Sequence, residues 1–157
     1  MTEQTSVETG PQDQSVVITR VFDAPRPLVF DAWTSPEHVA RWWGPEGFDT
    51  PPDTVTIDLR VGGRYQLTMV RKDTGGQFPL RYEIVELVPP ELIVLKGERM
   101  PEMGVHQPTF TRVELADDGG RTRMTLTDGP YTVSEHAERG WNGAFDKLES
   151  VVGSAVE

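Results

Sequence analysis

Side chains able to do chemistry are few and scattered in this sequence. Its three histidines, His38, His106 and His136, stand far apart and form neither an HxH nor an HExxH pattern, so no metal site is expected of them. His106 falls in an irregular stretch between strand-like runs, where it could donate to a ligand or exchange a proton near neutral pH. A solvent-exposed loop histidine is the commoner outcome. Arg81, Glu83, Glu86, Arg112 and Glu114 lie in strand-like segments and could polarise a ligand carbonyl if turned inward; pairing across an outer sheet face is the expectation. No serine sits in a GxSxG elbow and no GxxxxGK loop occurs, which removes the best warrants for hydrolase and nucleotide chemistry. Gly62-Gly63 and Gly75-Gly76 read as turn glycines. The chain has no cysteine, which excludes a thiolate nucleophile, a zinc-thiolate site and a disulfide framework. On these grounds no catalytic residue, metal ligand or cofactor is assigned.

The other side chains with recognition value are aromatic. Three of the four tryptophans, Trp33, Trp42 and Trp43, fall between Phe22 and Phe48, with proline and glycine stops at both ends. Val29, Ala32 and Trp33 recur at helical spacing, and Ser35-Pro36 restarts a second short helix with serine as N-cap. Gly44-Pro45 stops it. Two adjacent tryptophans on a helix diverge by about 100°, so Trp42 and Trp43 are not both expected to enter one core. One of them is expected at a pocket mouth or a partner surface, or equally with its indole packed beneath Pro45 and the loop that follows.

Around this helical pair the chain is organised by two-residue alternation. Ser15 to Phe22 reads as a first strand. Val55-Ile57-Leu59, Tyr65-Leu67-Met69, Leu80 to Val88, Leu92 to Lys96, Thr109 to Ala116 and Arg121 to Thr127 follow, separated by turn signals such as Asp117-Asp118-Gly119-Gly120. That gives seven strands. Gly97 to Pro108 is the longest irregular connection and is expected to be a flap. After the Asp128-Gly129-Pro130 turn, Thr132 and Glu135 offer a capping box, and Val133, Ala137, Trp141, Ala144, Phe145, Leu148, Val151, Val152 and Ala155 mark the apolar stripe of a closing helix. Gly140 and Gly143 within it suggest a close contact, a bend or room for a ligand.

A length of 157 residues suits one domain with a real core; residues 1–14 are polar and expected to form a flexible tail, and residues 15–157 the single domain. With 15 basic and 25 acidic residues the net charge is −10 and the pI near 4.7, which disfavours nucleic acid as a partner. No run of membrane-spanning length occurs, no secretory signal is recognised, and a cytoplasmic location is expected.

The order of one strand, two short helices, six antiparallel strands and a long last helix resembles the helix-grip fold of the START-like, or SRPBCC, superfamily. Arg20-Val21-Phe22-Asp23-Ala24-Pro25, Ala32-Trp33-Thr34-Ser35-Pro36-Glu37, Arg41-Trp42-Trp43-Gly44-Pro45, Asp58-Leu59-Arg60-Val61-Gly62-Gly63, Val88-Pro89-Pro90-Glu91 and Gly140-Trp141 are similar to successive signatures of its branch of heat-shock-chaperone ATPase activator-like proteins. Val61 departs from that pattern, standing where a proline often precedes the paired glycines. The resemblance covers roughly Val16 to Val152 and implies an α+β fold, a seven-stranded curved antiparallel sheet around the C-terminal helix with an apolar cavity between them.

By that resemblance and the inward alternation, Trp33, Phe48, Tyr65, Leu67, Met69, Trp141 and Phe145 are expected near the cavity wall, with Trp42 or Trp43 at its rim and His106 in the flap. Each taken singly is more often plain core. The leading expectation is a non-catalytic domain binding a small hydrophobic or amphipathic molecule. A polyketide cyclase- or aromatase-like enzyme is an alternative that needs an ionisable group inside the pocket. A chaperone ATPase co-regulator is another, although only the domain matching the C-terminal part of two-domain activators is recognised. A two-fold homodimer is a reasonable expectation without a motif of its own.

Overall fold

The structure, a computed structural model, describes residues 14–101, 105–131 and 134–152. Its first strand, β1 (Gln14–Phe22), alternates as read: Val16, Ile18 and Phe22 are buried while Val17, Thr19 and Val21 face out. Helices α1 (Arg26–Thr34) and α2 (Pro36–Trp42) follow, with Pro27 and Pro36 in their first turns, where a missing N–H costs nothing. Two-residue strands β2 (Phe48–Asp49) and β3 (Thr56–Ile57) flank a short 3₁₀ turn at Pro52–Thr54. The long strands β4 (Arg64–Arg71), β5 (Gln77–Val88), β6 (Leu92–Gly97), β7 (Thr109–Asp118) and β8 (Arg121–Tyr131) come next, and α3 (Ser134–Val152) ends the described chain.

All strand pairs are antiparallel, in the order β1-β8-β7-β6-β5-β4-β2, with β3 also on β4. The register slips between Gln14 and Val16 in β1 and between Ile84 and Glu86 in β5, and such bulges bend the strands that carry them. The curved sheet wraps around α3, the helix-grip arrangement. Met69, Leu80, Ile84, Leu95, Val113, Leu115, Met124 and Leu126 from its inner face meet Ala144, Phe145, Leu148 and Val152 of α3 in one buried core. Opposite charges lie outside: Arg112 pairs with Glu114 at 3.0 Å and Glu86 at 4.0 Å.

The strand expected over Val55 to Leu59 is only the two residues of β3. Its chain leaves the sheet at Asp58, whose amide bonds the Arg64 carbonyl at 2.8 Å, so Leu59 turns outward and is 45% exposed. Ser35 occupies the N-cap of α2 without a side-chain capping bond. For α3, Thr132 and with it the expected capping box lie outside the described residues, as do Val133 and Ala155; the Ser134 amide instead donates to Gln14 Oε1 at 3.0 Å. In the expected flap, Met100 and Val105 form an antiparallel bridge, and residues 102–104 lie outside the described residues.

The helical pair is fastened by its own aromatic residues. The last carbonyls of a helix have no partner within it and need donors from elsewhere. Here the Ser35 amide donates to Asp31 O at 2.9 Å, Trp42 Nε1 to Ala32 O at 2.9 Å, and Tyr65 Oη to Trp33 O at 2.5 Å. Tyr65 belongs to β4, so this last bond ties α1 to the sheet. A second tie runs from β1 to α3, where Arg20 donates to Asn142 O and Oδ1 at 3.2 and 3.3 Å and pairs with Asp146 at 2.8 Å.

Two predictions test this scaffold. Tyr65→Phe strands the buried Trp33 carbonyl and should cost about 1–3 kcal/mol in urea denaturation. Gly143 seats α3 on the loop after α2: a methyl group there would stand 3.2 Å from the Glu46 amide nitrogen, whereas one at Gly140 meets nothing nearer than Pro45 at 3.9 Å. Gly140→Ala should therefore gain up to about 1 kcal/mol from helix propensity, and Gly143→Ala should lose that gain, as read from paired thermal melts.

Candidate functional site

Between α3 and the strands β4 to β8 the sheet and helix do not close, leaving a cavity of about 460 Å³. Trp43, Gly44 and Pro45 form one wall, and Ala137, Gly140, Trp141 and Ala144 of α3 another. Met69, Leu80, Tyr82, Gly97, Thr109 and Tyr131 come from the sheet, with Met100 and Val105 beyond the end of β6. Arg81, Glu98, His106 and His136 also border it, and all four are exposed. The inner wall is thus apolar with hydroxyls, and the charged groups stand at its edge. A second depression of about 570 Å³ beside Gly62-Gly63 is lined chiefly by Arg64, Arg81, Glu83, Lys96, Glu98 and Arg99, and is polar in character.

Small residues keep the first cavity open while rigid rings hold its shape. A side chain at Gly97 would meet the Tyr82 ring at 2.8 Å and Thr109 Oγ1 at 3.0 Å. Tyr82 therefore packs closely over Gly97 and lines the cavity. Trp43 packs on Trp141 with ring centroids 5.2 Å apart, on Tyr65 at 5.9 Å and on Tyr82 at 6.0 Å. Edge-to-face and tilted contacts of this kind each add about 0.5–1.5 kcal/mol beyond area burial.

Behind the Tyr131 end of the wall sits Asp128, 1% exposed. Three donors converge on it: Thr111 Oγ1 at 2.8 Å on one oxygen, and Tyr131 Oη at 2.5 Å and Trp141 Nε1 at 2.6 Å on the other. No lysine or arginine pairs with it among the described residues. Burial raises the Asp128 carboxyl above the usual carboxylate range, and the bonds from Tyr131, Trp141 and Thr111 pull it back down. Burial also raises Tyr82 and Tyr131, and the Asp128 charge raises both further, so both phenols are neutral at physiological pH. Tyr65 is raised by burial and then by Tyr82.

Of the residues expected at the site, Trp43, Met69, His106 and Trp141 line the cavity. Trp33, Trp42, Tyr65, Leu67 and Phe145 are packed in the core behind it. Phe48 is half-buried, against Phe78 at 5.7 Å. Trp42 and Trp43 both enter one buried core, against the expectation that only one would, because the helix ends at Trp42; Trp43 has extended backbone (φ −66°, ψ 137°), which turns its ring back toward the interior, where it also lines the cavity. The indole N–H of Trp33 has no hydrogen-bond partner among the described residues. Among these residues no cluster of three or more metal-ligating side chains occurs.

Sequence reading passed over Asp128, Tyr131, Tyr82 and Thr111. The signal was present for Asp128, since Met124, Leu126 and Asp128 continue one inward alternation on β8. The Gly129-Pro130 that follows made it look like a turn residue.

The sequence pattern that defines the family described as Activator of Hsp90 ATPase homolog 1-like protein matches residues 23–153. The chain belongs to this family. Among solved structures it resembles a crystal structure of a Chromobacterium violaceum protein at 25% identity, TM-score 0.80, covering 88% of this chain and 96% of the other. A solution structure from Arthrobacter aurescens aligns at 23% identity and TM-score 0.78, over 92% and 88% of the two chains. The AHSA1-like protein of Aeromonas hydrophila aligns at 22% and 0.77, over 92% and 96%. No curated protein matches the chain by sequence. Family membership agrees with the START-like reading of the motifs, and no described helix is long and apolar enough to cross a membrane.

The buried carboxyl gives a pH signature with a definite sign. Because the folded Asp128 holds its proton more tightly than the unfolded one, its contribution to stability is full below about pH 4 and is lost as pH rises through the folded value. Asp128→Asn lacks that titration. The stability of the native protein relative to this variant should decline across that window, by no more than about 1.4 kcal/mol per pH unit, and then level off. Urea denaturation of both proteins at a series of pH values measures it.

Proposed function

We propose that this domain holds a small hydrophobic or amphipathic molecule in the cavity beneath Trp141. The observation that carries the reading is the cavity itself: about 460 Å³ is within the range of small-molecule sites, and its inner wall is apolar with a few convergent hydroxyls. The exposed Arg81, Glu98, His106 and His136 at its edge suit a ligand one end of which remains near water. A cytoplasmic setting belongs to the same proposal and fits the cysteine-free sequence.

The Asp128–Tyr131 pair favours, more weakly, a cyclase- or aromatase-like enzyme, since it is an ionisable group beside the pocket. Asp128 is closed off by its three donors, so a substrate would meet only the Tyr131 oxygen. His106 and His136, both exposed at the edge, are the imidazoles available there. Binding asks less of these residues than turnover does.

Native mass spectrometry of the purified protein should find a retained small molecule, or thermal denaturation should rise with an added apolar probe such as 2-methoxynaphthalene. At a hundredfold excess over Kd the gain is about 2.7 kcal/mol. Ala137→Phe, which fills the cavity from the half-buried side of α3, should keep the unliganded melting temperature within a few degrees and abolish that gain. If the native protein carries nothing and no apolar probe stabilises it, the binding reading is wrong.

A further inference from the structure

The Tyr131 end of the cavity has a polarity that follows from how its hydrogen atoms are already used. Tyr131 has one O–H, and it is given to Asp128 at 2.5 Å; Trp141 has one N–H, given to the same oxygen at 2.6 Å. Both residues line the cavity, so neither has a proton left for a ligand. What Tyr131 retains are the lone pairs of its oxygen. Tyr82 and Thr109 also line the cavity, and their hydroxyls form no hydrogen bond with other described residues, so each is able to donate.

Asp128 adds a long-range term. All three of its partners donate to it, which suits the ionised carboxylate, and no lysine or arginine pairs with it among the described residues; Arg81, the one such residue on the cavity lining, is exposed on the rim. A second anion brought to that end would lose its hydration and meet a like charge in a low-dielectric setting, an unfavourable combination on both counts. A neutral hydroxyl meets neither penalty. It can give its proton to Tyr131 and accept one from Tyr82.

We propose that the cavity selects a neutral, flat or compact apolar molecule carrying a hydroxyl, with that hydroxyl donating to Tyr131, and rejects a carboxylate of the same shape. This rests on the ligand-binding reading above and narrows it to a chemical class.

Three probes of one skeleton test it by isothermal titration on the unaltered protein at neutral pH: 2-naphthol, which donates; 2-methoxynaphthalene, which only accepts; and 2-naphthoate, which is anionic. The expected order places 2-naphthol about tenfold tighter than each of the other two. Tyr131→Phe should bring 2-naphthol down to the affinity of 2-methoxynaphthalene. Asp128→Asn can still accept from Tyr131 and Trp141 while giving its amide protons to Thr111, so it should keep the preference for 2-naphthol over the ether and relieve the rejection of 2-naphthoate. The comparison on the native protein decides the matter even if a variant fails to fold. Equal binding of 2-naphthol and 2-methoxynaphthalene, or tighter binding of 2-naphthoate, overturns the proposed selectivity and leaves the binding reading standing. Binding of none of the three removes the binding reading and this inference together.

Discussion

A carboxylate placed beyond the reach of water must be surrounded by donors, and in this domain that requirement fixes the relation between sheet and helix. Asp128 is on β8, Thr111 on the neighbouring β7, Tyr131 at the end of β8, and Trp141 on α3. Satisfying the carboxylate therefore sets how α3 lies across the sheet at its first turns. Losing any donor would leave part of a buried charge uncompensated, an expensive state. The end of the cavity that carries hydroxyls is the same end, because Tyr131 and Trp141 serve as wall and as ligands of Asp128 at once.

The other end is set by a different device. The final carbonyls of α1 are capped by aromatic donors, Trp42 from α2 and Tyr65 from β4, so the helical pair is held to the sheet through hydrogen bonds as well as packing. Around them Trp33 contacts Trp42, Trp43, Trp141 and Phe145, with centroid separations between 4.6 and 6.2 Å. That cluster is dense, and Trp33, Trp42, Trp43 and Phe145 in it are buried. It places Trp33 behind the wall and leaves Trp43 and Trp141 as the indoles that the cavity sees.

The fold was legible because each of its signals is local. Alternation in β1, proline at the starts of α1 and α2, glycine-rich turns and the apolar stripe of α3 each need only a few neighbouring residues to be read. The site was legible in part, through Trp43, Met69, His106 and Trp141. What escaped arises from convergence: Thr111, Asp128 and Trp141 are separated by 17 and 13 residues, and nothing local joins them. That Trp42 and Trp43 share one core escaped for another reason. Helical divergence applies only while the helix lasts, and a single extended residue returned the second ring to the interior. Likewise the alternation at Val55-Ile57-Leu59 could not show that the Asp58–Arg64 turn bond takes Leu59 out of the sheet.

The cavity persists because its walls pair large rigid residues with very small ones. Tyr82 lies on Gly97, Trp43 faces Trp141, and between those rings α3 presents Ala137, Gly140 and Ala144. Replacing the small residues with leucine-sized ones would close the space and recover dispersion contacts that an empty volume forfeits. The apolar wall alone would accept almost any greasy molecule of suitable size. Orientation has to come from the hydroxyls, and their directions are dictated by Asp128: it draws the proton of Tyr131 away from the cavity, while Tyr82 keeps its own. A residue with 1% exposure thereby determines which end of a hydrogen bond the wall can offer at Tyr131.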